Sequence, residues 1–530
     1  MKKSTLLIVS SLLFLSLINS ALAQVLYPGD YTENYYRTLQ LKNPELLPKP
    51  IMIRPSIIEP YSSDRSLNWN LWEGNFKTKF KEDSNNNFYI LNPRISYVYN
   101  HKYPRGYNNG AVWSGRGSNT SLTAGFGGNI GILHYTFAPI VWYAQNREYN
   151  IPSSQYNKNP YSYPAEGKID WVMRYGDDSY SDFDWGQSEI RIIYKNVTLG
   201  FSTANFSWGP SRYNPIIMSK NAAGFPHIDL GTARPAKTKI GLMEFKWYWG
   251  AMYESDYFDD NSENDRKYIT GFTLGYQPSF VKGLSLGVNR IMYTRWADGD
   301  LVTEDFFNAF VRNTHKGFMK NDEYDQMFSL VMEYAFPNVG LNLYVEWARN
   351  DFFGSIMDLA EHPDRTRAIT IGLTKTFDLD NGNLLEINYE KTTLSSNQIQ
   401  ISSPGISATY YVHGVVDNGY TNNGQIVGAG IGPGSNSDIF WVNLYNPNGK
   451  MGFTFQRIRF NDDYLVNAYA GVQDEPTDYE ITIGTDYLRM FNNFSINPEF
   501  LLIYRNNLLF EDNEQNNFVF NLSVSYFLNR

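Results

Sequence analysis

The stretch from Asn517 to Leu528 reads Asn-Phe-Val-Phe-Asn-Leu-Ser-Val-Ser-Tyr-Phe-Leu. Phe518, Phe520, Leu522, Val524, Tyr526 and Leu528 fall on one side of a strand. Asn517, Asn521, Ser523, Ser525 and Asn529 fall on the other, with Val519 and Phe527 as exceptions. Side chains alternate faces along a strand, so one face is apolar and the other mostly polar. The pattern recurs upstream. Leu341, Leu343, Val345 and Trp347 alternate with Asn342, Tyr344, Glu346 and Ala348. Ile369, Ile371 and Leu373 alternate with Thr370, Gly372 and Thr374, and Leu385, Ile387 and Tyr389 with Glu386, Asn388 and Glu390. Carboxylates on the polar face suit a wet lumen and are costly against lipid.

The other end of the chain sets the compartment. Lys2 and Lys3, the apolar run Leu6 to Ile18 and the small-x-small site Ala21-Leu22-Ala23 have the form of a secretory signal, which places the mature start at Gln24. The apolar run is too short for a membrane-spanning helix, which needs ~20 residues. Position 24 is Gln, so no lipid-bearing N-terminal Cys is available. An exported chain that ends on an amphipathic strand points to the bacterial outer membrane.

Composition agrees. Mean hydropathy is −0.42, too low for a helical membrane protein. Aromatics nevertheless make up 16% of the chain, the mixture that apolar walls, aromatic girdles and a polar lumen require. With 0 Cys, disulfides and thiolate metal sites are excluded, and a net charge of −9 gives no nucleic-acid footprint.

Strand-like runs continue from residue 71 onward, roughly nineteen by periodicity at the spanning length of about ten residues. Both ends on one side of the membrane demand an even number. The doubtful place is 395–436, where Ser407 to His413 reads as strand or loop. Short turns are expected at Pro337-Asn338, Asp380-Asn381-Gly382, Asn446 to Gly449 and Asn461-Asp462-Asp463. Segments 147–185, 209–237, 296–325 and 395–436 are too long for turns. Glu304 to Arg312 suits a short helix within one of them. The expected fold is all-β, a transmembrane antiparallel outer-membrane β-barrel of about 18 strands. Its expected organisation is a signal peptide over 1–23, an N-terminal periplasmic or lumen-occluding element over 24–70, and the barrel over 71–530. In the N-terminal element, Tyr31 to Leu41 suits a helix and Pro48 to Pro60 an extended path.

Three segments carry a resemblance. The first is Tyr107 to Gly117 (Tyr-Asn-Asn-Gly-Ala-Val-Trp-Ser-Gly-Arg-Gly), followed by Asn119-Thr120 and the strand Ser121 to Gly127. The second is Phe206-Ser207-Trp208-Gly209-Pro210 with Met218 to Pro226. The third is His413-Gly414 with Gly419 to Gly428 and the Gly-rich Ala429 to Asn436. In order and spacing these resemble the capsule assembly Wzi family of outer-membrane proteins over nearly the whole chain. The resemblance implies a barrel of eighteen strands, a helical element blocking its lumen, and a lectin-like role in capsular or related polysaccharide assembly or attachment. The Gly-rich Ile426 to Gly434 and the Tyr-rich insert at 147–185 depart from better-known members, which bears on the identity of the glycan.

Read as chemistry, sugar sites set aromatic faces against C–H surfaces, with Arg and Asn on hydroxyls or acidic groups. Trp113 with Arg116 forms one candidate pair. Trp208, Arg212, Asn221, His227 and Arg234 form a second group in one long segment. Packing of the barrel wall explains single tryptophans equally well. Catalysis has little support. None of the 6 His sits in a His-Glu-x-x-His motif, and no Gly-x-Ser-x-Gly elbow occurs. Glu386 and Glu390 would stand about 13 Å apart along a strand. No cofactor is expected. The expected partners are surface polysaccharide and outer-membrane lipid, and no nucleic acid. The sequence is silent on oligomeric state. Two functions follow: non-enzymatic polysaccharide binding at the cell surface, or a diffusion channel for small solutes.

Overall fold

Eighteen antiparallel strands close on themselves. The structure, a computed structural model, describes residues 25–42, 52–57, 71–72, 86–154, 156, 158–259, 261–296, 305–310, 324–350, 356–361, 366–396, 409–469 and 476–528. The signal-like residues 1–23 lie outside these, as do most of Pro48 to Pro60 and residues 407–408. The wall begins at β1 (Asn86–Asn100), β2 (Gly117–Ile130), β3 (Leu133–Phe137 and Ile140–Ala144) and β4 (Tyr180–Asp184 and Glu189–Tyr194). It continues through β5 (Val197–Ser202), β6 (His227–Thr232 and Ala236–Thr238), β7 (Gly241–Tyr253), β8 (Arg266–Pro278) and β9 (Leu284–Arg295). Next come β10 (Tyr324–Phe336), β11 (Leu341–Asn350), β12 (Arg367–Asp378), β13 (Leu384–Thr393) and β14 (Asn436–Asn446). The last are β15 (Gly449–Arg459), β16 (Tyr479–Phe491), β17 (Phe494–Asn506) and β18 (Glu514–Tyr526). Thr409 to His413 is turn, not strand, which brings the count to an even number.

Closure uses the stretch that opened the argument. β18 pairs antiparallel with β1, setting Phe520 opposite Tyr99 and Ser523 opposite Ser96. Ser523 and Ser96 share a hydrogen bond at 3.0 Å on the inner face, and Arg94 donates to Ser523 at 3.1 Å. The alternation holds around the wall: Leu343 is 41% exposed toward lipid while Glu346 is fully buried inward. Leu330, Met332, Ile371, Phe453, Ile483 and Leu502 are exposed in the same sense. These side chains form the apolar outer band that a bilayer requires.

Links at one rim are short: Gly131-Ile132, Lys195-Asn196, Pro447-Asn448 and Asn492-Asn493. Lys195 and Asn492 adopt positive φ, at 57° and 46°. Long loops occupy the other rim. Short turns face the periplasm in such barrels. Asn461-Asp462-Asp463 departs from expectation. It is not a hairpin turn but the start of a helix in a long outer loop, because the Asn461 side chain accepts the Tyr464 N–H and caps it.

Parts of the chain itself occupy the lumen. Helix α1 (Tyr31–Lys42) lies inside the periplasmic half. Its start is held by Asp30, which accepts the Thr32 N–H at 3.1 Å, and by Glu33, which accepts the Gly29 N–H at 2.6 Å. Tyr35 stacks on Trp72 at 3.9 Å, and both pack on Leu384, Tyr445 and Leu488 of the wall. Leu71 and Trp72 therefore sit with the plug, and the first wall strand among the described residues starts at Asn86. Helix α2 (Ile356–Glu361) and helix α3 (Asp462–Ala468) belong to outer loops, and Asp305–Phe307 of the expected Glu304 to Arg312 helix forms one 3-10 turn. In the outer half, residues 203–226 and 409–435 fold inward. Trp208, Ile216, Ile217, Met218, Tyr411, Tyr420 and Val427 pack there against Tyr248, Ile291 and Tyr293 of the wall. Gly428 permits the approach: a Cβ there would stand 2.3 Å from the Ile216 carbonyl oxygen.

The wall carboxylates are consequently not in a wet lumen. Glu390 accepts the backbone N–H groups of Arg212 and Asn214, each at 2.8 Å, and the Tyr344 hydroxyl at 2.7 Å. Glu386 accepts from Thr38 at 2.6 Å and from Arg212 at 2.9 Å. Buried carboxylates need such donors. The plug supplies those from Thr38, Arg212 and Asn214, and the wall adds Tyr344.

Candidate functional site

Two spaces lie beside the plug among the described residues. The first is a pocket of about 100 Å³ at the outer end, beneath the loops 101–116 and 145–179. Tyr103, Tyr107, Trp113, Tyr149, Tyr163, Trp171 and Phe460 contribute to its walls, with Arg105 and Arg505. Both arginines are held against rings. Arg505 lies 3.9 Å from the Phe460 centroid and makes two 2.7 Å hydrogen bonds to Asp478. Arg105 lies 4.8 Å from the Tyr107 centroid and donates to Glu480 at 3.2 Å and Gln456 at 3.0 Å. Burial raises the Tyr163 hydroxyl, and burial with nearby Glu480 raises that of Tyr107, so both remain neutral donors at ordinary pH. Aromatic faces with fixed guanidinium groups are the elements of saccharide recognition.

The second space is a chamber of about 500 Å³ within the lumen, between the plug and strands β14 to β18, β1 and β2. Arg105, Gly106, Tyr107, Val112 and Ser114 line both spaces, so this strip of the first outer loop is the partition between them.

The candidates read from sequence are dispersed. Trp113 lines the outer pocket; its Nε1 donates to Asn146 at 3.3 Å and its ring lies 4.8 Å from Tyr175. Arg116 ties the outer loops together, donating to the carbonyls of His101 at 3.1 Å and of Glu148. Asn221 reaches the pocket from below, accepting the Asn108 N–H at 3.1 Å and donating to Ile426 O at 2.9 Å. Arg212 lines the inner chamber. Trp208 is fully buried between Phe206 and Tyr248. His227 is buried too, its Nδ1 2.7 Å from Phe225 O and its Nε2 3.9 Å from Asp229. Arg234 stands at the opposite, periplasmic rim, where its backbone pairs with the Asn196 side chain. The structure thus brings Trp113 and Asn221 together and separates Arg234 from them. Sequence reasoning missed Arg105, Trp171, Phe460 and Arg505, which lie far apart in the chain and fall in no single motif. Among the described residues no group of His, Asp and Glu has the arrangement of a metal site.

An outer-membrane β-barrel that holds its own N-terminal helix and inward-folded loops in its lumen is the class these features define. The family model for capsule assembly protein Wzi matches residues 92–490, and the chain belongs to that family. Among solved structures it is similar to Wzi of Escherichia coli, described as an outer-membrane protein involved in group 1 capsule assembly and a carbohydrate-binding β-barrel. The identity is 11%, the TM-score 0.62, and the match covers 95% of this chain and 100% of the other. Acinetobacter baumannii OccAB2 is also similar, at 10% identity and TM-score 0.41 over 83% of this chain and 98% of that one. Pseudomonas aeruginosa OccK7 is similar at 11% identity and TM-score 0.39, over 83% and 98%. No functionally curated protein matches the chain.

Proposed function

We propose that this protein binds a surface or capsular polysaccharide at its outer face and aids capsule assembly or attachment without catalysis. The observation that carries the reading is the outer pocket, in which seven aromatic side chains and two ring-stacked arginines converge. Family membership and the carbohydrate binding described for the Escherichia coli Wzi structure support it. The plugged lumen favours it over a diffusion channel. Trp113 is the anchor, Arg105 and Arg505 orient acidic or hydroxyl groups, and Arg116 holds the two outer loops in register. The test is retention of polysaccharide from the producing strain by purified, folded protein. Trp113→Ala should weaken retention about tenfold, within the 1–3 kcal/mol typical of one stacking aromatic. Unchanged retention in folded Trp113→Ala and Trp171→Ala proteins would remove the pocket from the function.

A further inference from the structure

The inner chamber has the volume of a small-ligand site, which runs about 300–1,000 Å³, and a lining that the plug does not explain. Five cationic side chains face it: Arg94, Arg105, Arg212, Lys220 and Lys450. Four have carboxylate partners: Arg94 with Asp30 at 3.3 Å, Arg105 with Glu480 at 3.2 Å, Arg212 with Glu386 at 2.9 Å and Lys450 with Asp486 at 2.6 Å. The Lys220 ammonium has no hydrogen bond or ion pair among the described residues. Its neighbours in sequence are fully used. The Ser219 hydroxyl donates to Gly428 O at 2.6 Å, and Asn221 joins Asn108 to Ile426. Lys220 alone in that run has an unassigned side chain, and it points where the lumen is empty of protein.

The rest of the lining suits a sugar ring. Tyr213 and Trp441 meet edge to face at 4.9 Å and present apolar surface to the chamber. Asn497 and Asn521 also line it.

We propose that the chamber is a binding site for an acidic saccharide unit. Its carboxylate is taken by Lys220 beside Arg94, its ring rests on the Tyr213–Trp441 pair, and its hydroxyls lie along Asn497 and Asn521. This site is separate from the outer pocket and does not depend on polymer binding there.

Calorimetry on the folded, detergent-solubilised protein tests it, with methyl glucuronide, the uncharged methyl glucoside and acetate as probes. The parent should bind the glucuronide at least tenfold more tightly than either of the others. Lys220→Met should lose at least tenfold, and Lys220→Arg should recover most of that loss. Absence of glucuronide binding by the parent overturns the proposal. Equal binding by folded Lys220→Met overturns it as well, as does acetate binding as tightly as the glucuronide, which marks an ion site only. Polymer retention reads the outer pocket and monosaccharide calorimetry reads the chamber, so the two proposals fail separately.

Discussion

Glu386 and Arg212, 174 residues apart in sequence, meet at 2.9 Å inside the barrel, and both side chains are almost fully withdrawn from solvent. The pair joins the wall to the inward-folded loop. Removing one partner of a buried pair leaves an uncompensated charge and costs about 3–5 kcal/mol. Arg212→Ala should therefore lower the melting temperature of the folded barrel and reduce its heat-modifiable fraction. Replacing both residues, as Arg212→Met with Glu386→Leu, should recover much of the loss, because no charge is then stranded. A double variant as unstable as Arg212→Ala would place the stabilisation elsewhere.

The plug makes an electrical prediction. The intact protein should show little steady conductance in planar bilayers. Removing residues 24–70 deletes α1 with Thr38 and Arg54, which bond to Glu386 and to Ser207 and Ser211. Conductance should then rise. A large, stable current through the intact protein would favour the channel reading.

The two faces of β18 should respond oppositely to charge. Leu522→Asp sets a carboxylate against lipid, at a cost of about 1–4 kcal/mol depending on depth. Ser523→Asp sets one beside Arg94, whose Nη2 already donates to Ser523 at 3.1 Å. The yield of folded barrel in isolated outer membranes should fall for the first and hold for the second. Equal yields would contradict the assignment of faces.

The chamber predicts a pH profile. Burial pushes the Lys220 ammonium down to about 8; Arg94 and Arg54 press the same way, while Asp30 and Glu33 oppose them. Lys220 is charged below that value and neutral above it. Glucuronide affinity should be full near neutrality and fall as pH rises through 8, with a carboxylate bound in place shifting the midpoint upward. Lys220→Arg should flatten the fall, because a guanidinium remains charged throughout. A profile flat from about pH 6 to 10 in the parent would exclude Lys220 as the anion ligand.

The wall was legible because its signal is local. The alternation of Leu343 with Tyr344 and Glu346, or of Leu522 with Ser523, assigns each side chain to lipid or lumen without knowledge of any neighbour. The plug was not legible, because residues 203–226 and 409–435 have no period. One sign of inward folding was present: Ile216-Ile217-Met218 and Tyr410-Tyr411 are apolar runs in segments that alternation leaves as loops. The same gap made Glu386 and Glu390 look solvated, since several of their donors come from Thr38 and from Arg212 to Asn214. Trp113 stood out in sequence from its setting of Gly, Ser and Arg, and it lines the outer pocket. Its companions Arg105, Trp171 and Arg505 join it only through the closure of the barrel.

The attachment of the N-terminal segment bears on how the molecule is made. Thr38 bonds to a residue 348 positions later, and the Trp72 indole donates to Asn446, 374 positions later. Contacts so remote must wait until most of the chain is in place, because closing loops of that length precedes any gain from them. The N-terminal helix is thus among the last parts to be seated. Until that helix and the inward-folded loop are seated, Glu386 lacks its bonds from Thr38 and Arg212, and Glu390 lacks its bonds from the backbone of Arg212 and Asn214.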